Sequence, residues 1–241
     1  MSRLSLLFAA IASLFSAGAL AGSDESGVKA AIEAYARDVH VQEVHSTPVA
    51  GIYEVVAEGQ VFHVDSTGRY AFVQGRLVDM KESRDLTEAT IDRLSRVDFS
   101  QLPKDLALQT VRGTGRRKVA VFEDPSCSVC QSMQPVLDQL DDVTIYTYTY
   151  PVISPNSIPA AVAVWCSPAA SRHAQWTAFM RGAPLPGAIT KDCLPAGDVV
   201  KKIVDLGQAL GVNNTPTIVM ENGQRLVGAT SLDQLVMAMS K

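Results

Sequence analysis

The stretch Lys118-Val119-Ala120-Val121-Phe122-Glu123-Asp124-Pro125-Ser126-Cys127-Ser128-Val129-Cys130 decides the fold. Its first half is a short apolar run with the length and β-branched content of a buried strand. Asp124-Pro125-Ser126 interrupts it. After the second cysteine, Met133, Val136, Leu137 and Leu140 recur at helical spacing. The Cys-x-x-Cys pair therefore stands where a strand ends and a helix begins. A sulfur there meets unpaired backbone N–H groups and the positive end of the helix dipole. Such sites bring thiol pKa values from about 8.5 into a range of roughly 3.5–7.5. The thiolate is the attacking species in disulfide exchange. Cys127 is thus the candidate nucleophile and Cys130, on the first helical turn, the resolving thiol. Ser128 and Val129 are the active-site dipeptide between them.

Two other readings compete. The pair could be half of a zinc site, but zinc takes further Cys or His ligands at compact spacing. Cys166 and Cys193 are far apart, His173 is the nearest histidine, and His40, His45 and His63 belong to an earlier segment. An inert Cys127–Cys130 bridge is the other. We expect a redox pair, with no metal and no organic cofactor.

Downstream, Val143 to Tyr150 reads as a strand whose Tyr146, Tyr148 and Tyr150 share one face. Ser157 to about Arg181 is helical, with a break near Ser167-Pro168, and Asp198 to Leu210 is a further helix. Thr217–Met220, the turn Asn222-Gly223 and Arg225–Val227 signal a hairpin, and Leu232 to Met239 a last helix. The order β, α, β, helical insert, α, β, β, α describes an α/β sandwich with mixed parallel and antiparallel pairing. Trp165, Trp176 and Met133 read as core. Before the hairpin stands Asn214-Thr215-Pro216-Thr217. It is either an ordinary strand start or a cis-proline loop packed on the cysteines. In the second case Thr215 offers its backbone carbonyl and N–H to a bound peptide. Pro216 then denies the thiols a backbone donor or a metal.

Upstream, residues 27–38 have helical spacing, with Val28, Ala31, Ile32 and Tyr35 on one face. Gly51–Val56, Gln60–Val64, Tyr70–Val73 and Leu77–Met80 follow as short strands with turn signals between them. Residues 85–98 return to a helical period, with Thr87 as N-cap and Gln101-Leu102-Pro103 as the stop. The first 21 residues form a secretory signal: Arg3, an apolar run from Leu4 to Phe15, then Ala19-Leu20-Ala21. The expected division is 1–21 signal peptide, 22–82 N-terminal domain, 83–100 linker helix and 101–241 catalytic domain.

Composition agrees with a secreted globular protein. The 241 residues are 47% hydrophobic and 19% charged, enough apolar material for a core. A net charge of -4 carries no basic footprint, so no nucleic-acid partner is expected. Four cysteines allow two bridges in three pairings, too few to build a disulfide scaffold.

Cys-x-x-Cys at a strand–helix junction with Thr-Pro before a hairpin resembles a thioredoxin fold. Nearly all of residues 25–240 resembles the DsbC/DsbG family of periplasmic thiol:disulfide interchange proteins. The resemblance is carried by Thr47–Tyr53, Val61–Asp65, Gly68-Arg69-Tyr70, Gln74-Gly75 and Ala163-Val164-Trp165-Cys166. It implies an α+β / α/β chain with a cystatin-like N-terminal dimerisation domain, a linker helix and a thioredoxin-like domain with a helical insertion. It also implies a structural Cys166–Cys193 disulfide, with a second redox-active pair as the alternative, a periplasmic homodimer with facing active sites, and a membrane electron donor resembling DsbD. Substrates would be unfolded or mispaired disulfide proteins. The implied activity is isomerase or reductase. The alternatives are a chaperone or holdase that binds unfolded chains, with the thiols incidental, and a partner dedicated to one secretion or conjugation apparatus.

Two departures stand out. Ser128-Val129 replaces the glycine–tyrosine or proline–tyrosine pair usual in that family, and this dipeptide tunes redox potential. Val121, six residues before Cys127, stands where thioredoxins hold a buried acid. Proton transfer to Cys130 then lacks that helper; Asp124 or Glu123 is the candidate substitute, against the plainer reading of both as solvated loop acids.

Overall fold

The computed structural model describes residues 24–185 and 187–240. The expected signal segment 1–21 lies outside them. The chain divides into two compact units, with the boundary between Thr90 and Ile91.

The first unit begins with α1 (Glu25–Tyr35), capped by the Asp24 side chain, which accepts from the Gly27 N–H. Four strands follow: β1 (Val41–Ser46), β2 (Ile52–Ala57), β3 (Gln60–Asp65) and β4 (Ala71–Phe72), paired antiparallel in that order. Val28 and Ile32 of α1 pack on Val41, Val44, Val55 and Val64 of the sheet. The strand β1 was not expected. Its residues Val41-Gln42-Glu43-Val44-His45-Ser46 break the period of two, because a register shift between Val41 and Glu43 puts both valines inward. A two-stranded ribbon, β5 (Val78–Asp79) with β6 (Arg84–Asp85), leads into α2 (Leu86–Leu94).

The expected cap of α2 is corrected. Thr87 is buried inside the helix, where its hydroxyl accepts from the Leu77 N–H. Asp85 Oδ1 instead accepts from the Glu88 N–H at 2.9 Å. The helix also ends earlier than expected. The Val97 N–H is taken by the Gly223 carbonyl at 3.0 Å, which draws the chain out of helical geometry.

The second unit holds a five-stranded sheet. Its strands are β7 (Leu108–Arg112), β8 (Arg117–Glu123), β9 (Val143–Thr149), β10 (Thr217–Met220) and β11 (Arg225–Val227). The order is β11-β10-β8-β9-β7; β8 and β9 run parallel and the other neighbours antiparallel. The edge strand β7 was also unexpected, since Leu108-Gln109-Thr110-Val111-Arg112 buries only Leu108 fully.

Side chains of β8 alternate between two apolar layers. Val119 and Val121 meet α3 (Ser128–Asp138) and α7 (Leu232–Met239) through Met133, Leu137 and Leu235. Ala120 and Phe122 meet the opposite layer of α4 (Ser157–Cys166), α5 (Ala169–Met180) and α6 (Leu194–Ala209). Phe122 stacks on Tyr148 with centroids 4.6 Å apart and meets Tyr150 edge-on at 6.0 Å. A disulfide joins Cys166 at the end of α4 to Cys193 before α6, 27 residues on. Closing a loop of that size stabilises a fold by about 2–4 kcal/mol. Among the described residues no helix is long and apolar enough to cross a membrane.

Candidate active site

The central strand β8 delivers the chain to the edge of the sheet at Glu123, and a four-residue turn carries it into α3. Cys127 is the N-cap of that helix, with φ −87° and ψ 108°. Its Sγ accepts the Cys130 N–H at 3.1 Å. The Cys127 thiol in turn donates to the Thr215 carbonyl at 3.3 Å. Both thiols are free. They are unequal, since Cys127 is 6% exposed and Cys130 0%. Burial, and next the neighbouring Cys127 sulfur, hold the Cys130 thiol well above the ordinary thiol range.

The peptide bond between Thr215 and Pro216 is cis. Pro216 is buried, and its carbonyl accepts from the Gly228 N–H at 2.8 Å. The loop from 214 to 216 is thereby tied to the residue that follows β11. Of the dipeptide, Ser128 is exposed and Val129 is half-buried against the core that contains both cysteines. Met133 is core, and its sulfur faces the Thr230 N–H at 3.4 Å.

The two acids before the motif are corrected most strongly. Neither is solvated: Glu123 is 2% exposed and Asp124 0%. The central strand is covered on both faces and is buried from Val119 to its last residue, Glu123. Glu123 accepts from Trp176 Nε1 at 2.5 Å and from Gln134 Nε2 at 2.8 Å. Burial pushes its carboxyl up to about 7, against the lowering effect of those two donors. Gln134 also lies 3.5 Å from the Cys130 carbonyl, so the buried acid is one side chain removed from Cys130. Gln134 was missed from sequence, where it passes as an ordinary helix-surface polar residue. Trp176 is core, as its sequence pattern implies, and its indole N–H has the Glu123 carboxylate as partner.

This arrangement can exchange disulfides: a capped, slightly exposed sulfur, a shielded second sulfur three residues on, and a backbone carbonyl beside the first. Residues 19–88 match the family described as disulfide bond isomerase protein N-terminal domain, and residues 104–241 match the thioredoxin-like domain. A probable thiol:disulfide interchange protein DsbC of Bordetella avium is 34% identical over 199 residues, covering 83% of this chain and 69% of that protein. The chain belongs to the DsbC family of thiol:disulfide interchange proteins. The DsbC protein of Haemophilus influenzae is 23% identical across 98% of this chain and 97% of its own. A disulfide interchange protein from Neisseria gonorrhoeae superposes with a TM-score of 0.50 at 33% identity, over 58% of this chain and 96% of that one. A thiol-disulfide exchange protein of Wolbachia pipientis, 17% identical with a TM-score of 0.51, shares the fold. Membership of the DsbC family makes this protein a thiol–disulfide oxidoreductase of the isomerase type, built from the expected N-terminal and thioredoxin-like domains.

Proposed function

We propose that Cys127 is the nucleophile and Cys130 the resolving thiol in exchange with mispaired disulfides of secreted proteins. The observation that carries this is the Cys127 sulfur at a helix N-cap, more accessible than its partner and directly beside the Thr215 carbonyl. The Cys127 thiolate attacks one sulfur of a substrate disulfide. That S–S bond breaks, and its electron pair leaves on the second substrate sulfur, which takes up a proton. The Cys127 S–H bond no longer exists in the mixed disulfide, so the Thr215 carbonyl is released to accept a substrate backbone N–H. Pro216 adds no competing donor.

Two exits follow. A different substrate thiol attacks the mixed disulfide, giving a rearranged substrate and a reduced enzyme with no net electron transfer. Alternatively Cys130 loses its proton and attacks Cys127, which leaves the substrate reduced by two electrons and the enzyme oxidised. The depth of Cys130 makes the second exit slow, which favours isomerisation. A reduced dithiol must then restore the oxidised enzyme; by family likeness this is a membrane electron donor resembling DsbD. The compartment is the periplasm, entered through the signal segment 1–21, with 22–82 as dimerisation domain and 83–100 as linker.

The test is refolding of a scrambled multi-disulfide substrate in a glutathione buffer. Recovery of the native substrate by the protein, and its loss in Cys127→Ser, is expected. A Cys127→Ser, Cys130→Ser variant that still supports function in cells would overturn the redox reading in favour of a holdase.

A further inference from the structure

Asp124 lies entirely inside the protein. Burying a carboxylate is costly unless its oxygens are filled. An ionised carboxylate offers about four lone-pair sites, and here each has a donor. Oδ1 accepts from the Ser126 N–H at 2.7 Å and the Ser157 hydroxyl at 2.6 Å. Oδ2 accepts from the Val152 N–H at 2.6 Å and the Ile153 N–H at 2.8 Å. These donors belong to three segments: the turn before Cys127, the connection after β9, and the first residue of α4. The Asp124 main chain acts on the nucleophile as well, because its carbonyl accepts the Cys127 N–H at 3.0 Å. Ser157 and Ser126 close the ring through their hydroxyls at 2.8 Å.

We propose that Asp124 is the positioning residue of Cys127, its carboxylate tying the turn that carries the nucleophile to the entrance of α4. The inference rests on Cys127 being the attacking sulfur. A negative charge close to a thiol opposes ionisation. The four donors offset that cost, and the return is a turn that keeps Cys127 Sγ on the Cys130 N–H and the Thr215 carbonyl. Positioning and bare charge therefore predict opposite results when the charge is removed. Asparagine cannot replace the side chain: whichever way its amide turns, the NH2 faces at least one backbone N–H and leaves it unpaired. Glu123 and Cys130, the other titratable groups beside the turn, are unaltered by the substitution.

The experiment is alkylation of Cys127 by iodoacetamide in the reduced full-length protein, followed by peptide mapping from mildly acidic to mildly alkaline pH. Asp124→Asn is expected to slow alkylation at neutral pH about tenfold, the scale of one lost hydrogen bond to a charged group, and to move the profile midpoint to higher pH. An unchanged or faster rate in folded Asp124→Asn overturns the inference, since removal of charge alone favours the thiolate. Should that variant fail to fold, Ser157→Ala decides. It removes one of the four donors and keeps the carboxylate; a rate reduced about tenfold, again the scale of one lost hydrogen bond to a charged group, supports the inference, and a wild-type rate overturns it. Slow alkylation of wild-type Cys127 would instead sink the nucleophile assignment itself, a separate outcome.

Discussion

Glu123 shows what one buried residue does to the energetics of this site. Its carboxyl is raised from an ordinary 4.5 to about 7 by burial. The folded state therefore binds a proton that the unfolded state has released across that interval. Stability from this group is greatest below about pH 4.5 and is lost as pH rises through about 7. A displacement of that size corresponds to about 3 kcal/mol. Glu123→Gln keeps an oxygen for the Trp176 indole, and the Gln134 amide can turn to meet the new NH2. We expect the variant to match wild type in denaturant stability at low pH. It should exceed wild type by a few kcal/mol above neutrality. A difference that does not grow with pH contradicts the burial account. Glu123 and Asp124 are adjacent in sequence yet differ in kind. The first has two donors and is pushed toward its neutral form; the second has four.

At the scale of elements, α6 lies so close to the ring of Tyr150, the residue after β9, that only glycine fits at the contact. A Cβ on Gly207 would stand 2.4 Å from the Tyr150 ring. Tyr150 cannot withdraw, because its hydroxyl donates to the Val212 carbonyl at 3.1 Å and its N–H to the Glu123 carbonyl at 2.9 Å. Gly207→Ala should cost about 1–3 kcal/mol, the usual scale of overpacking, read as a lower denaturation midpoint with an unchanged slope. A helix-propensity argument alone predicts a gain, so the sign separates the two. Two of the strands that sequence reading missed, β1 and β7, are sheet edges. Neither has the continuous apolar run of β8, and each is recruited by pairing with a neighbour. The helix α6 also starts four residues before the expected Asp198, because Cys193 is held by its disulfide at that end.

At the scale of the molecule, the first unit presents β4 as a sheet edge with Tyr70, Phe72 and Val73 each more than 60% exposed. An apolar sheet edge is a template for pairing with another chain, and we read it as supporting the proposed homodimer. Phe72→Glu should shift sedimentation of the full-length protein from dimer toward monomer; an unaltered dimer would place the interface elsewhere. The cysteine motif, the β8–α3 junction, the Thr-Pro loop and the two-part organisation were all legible in the sequence, because each rests on local spacing or local backbone chemistry. Placement of Asp124 and Glu123 was not. Whether an acid after a strand meets water or protein depends on which helices cover that strand, and here Gln134, Ser157 and Trp176 arrive from 11, 33 and 53 residues away. The sequence by itself placed the two sulfurs proposed for exchange three residues apart where a strand gives way to a helix. Only the tertiary structure decided how deeply Cys130 is shielded and what holds the turn before Cys127, since burial and hydrogen-bond partners are properties of segments brought together by folding.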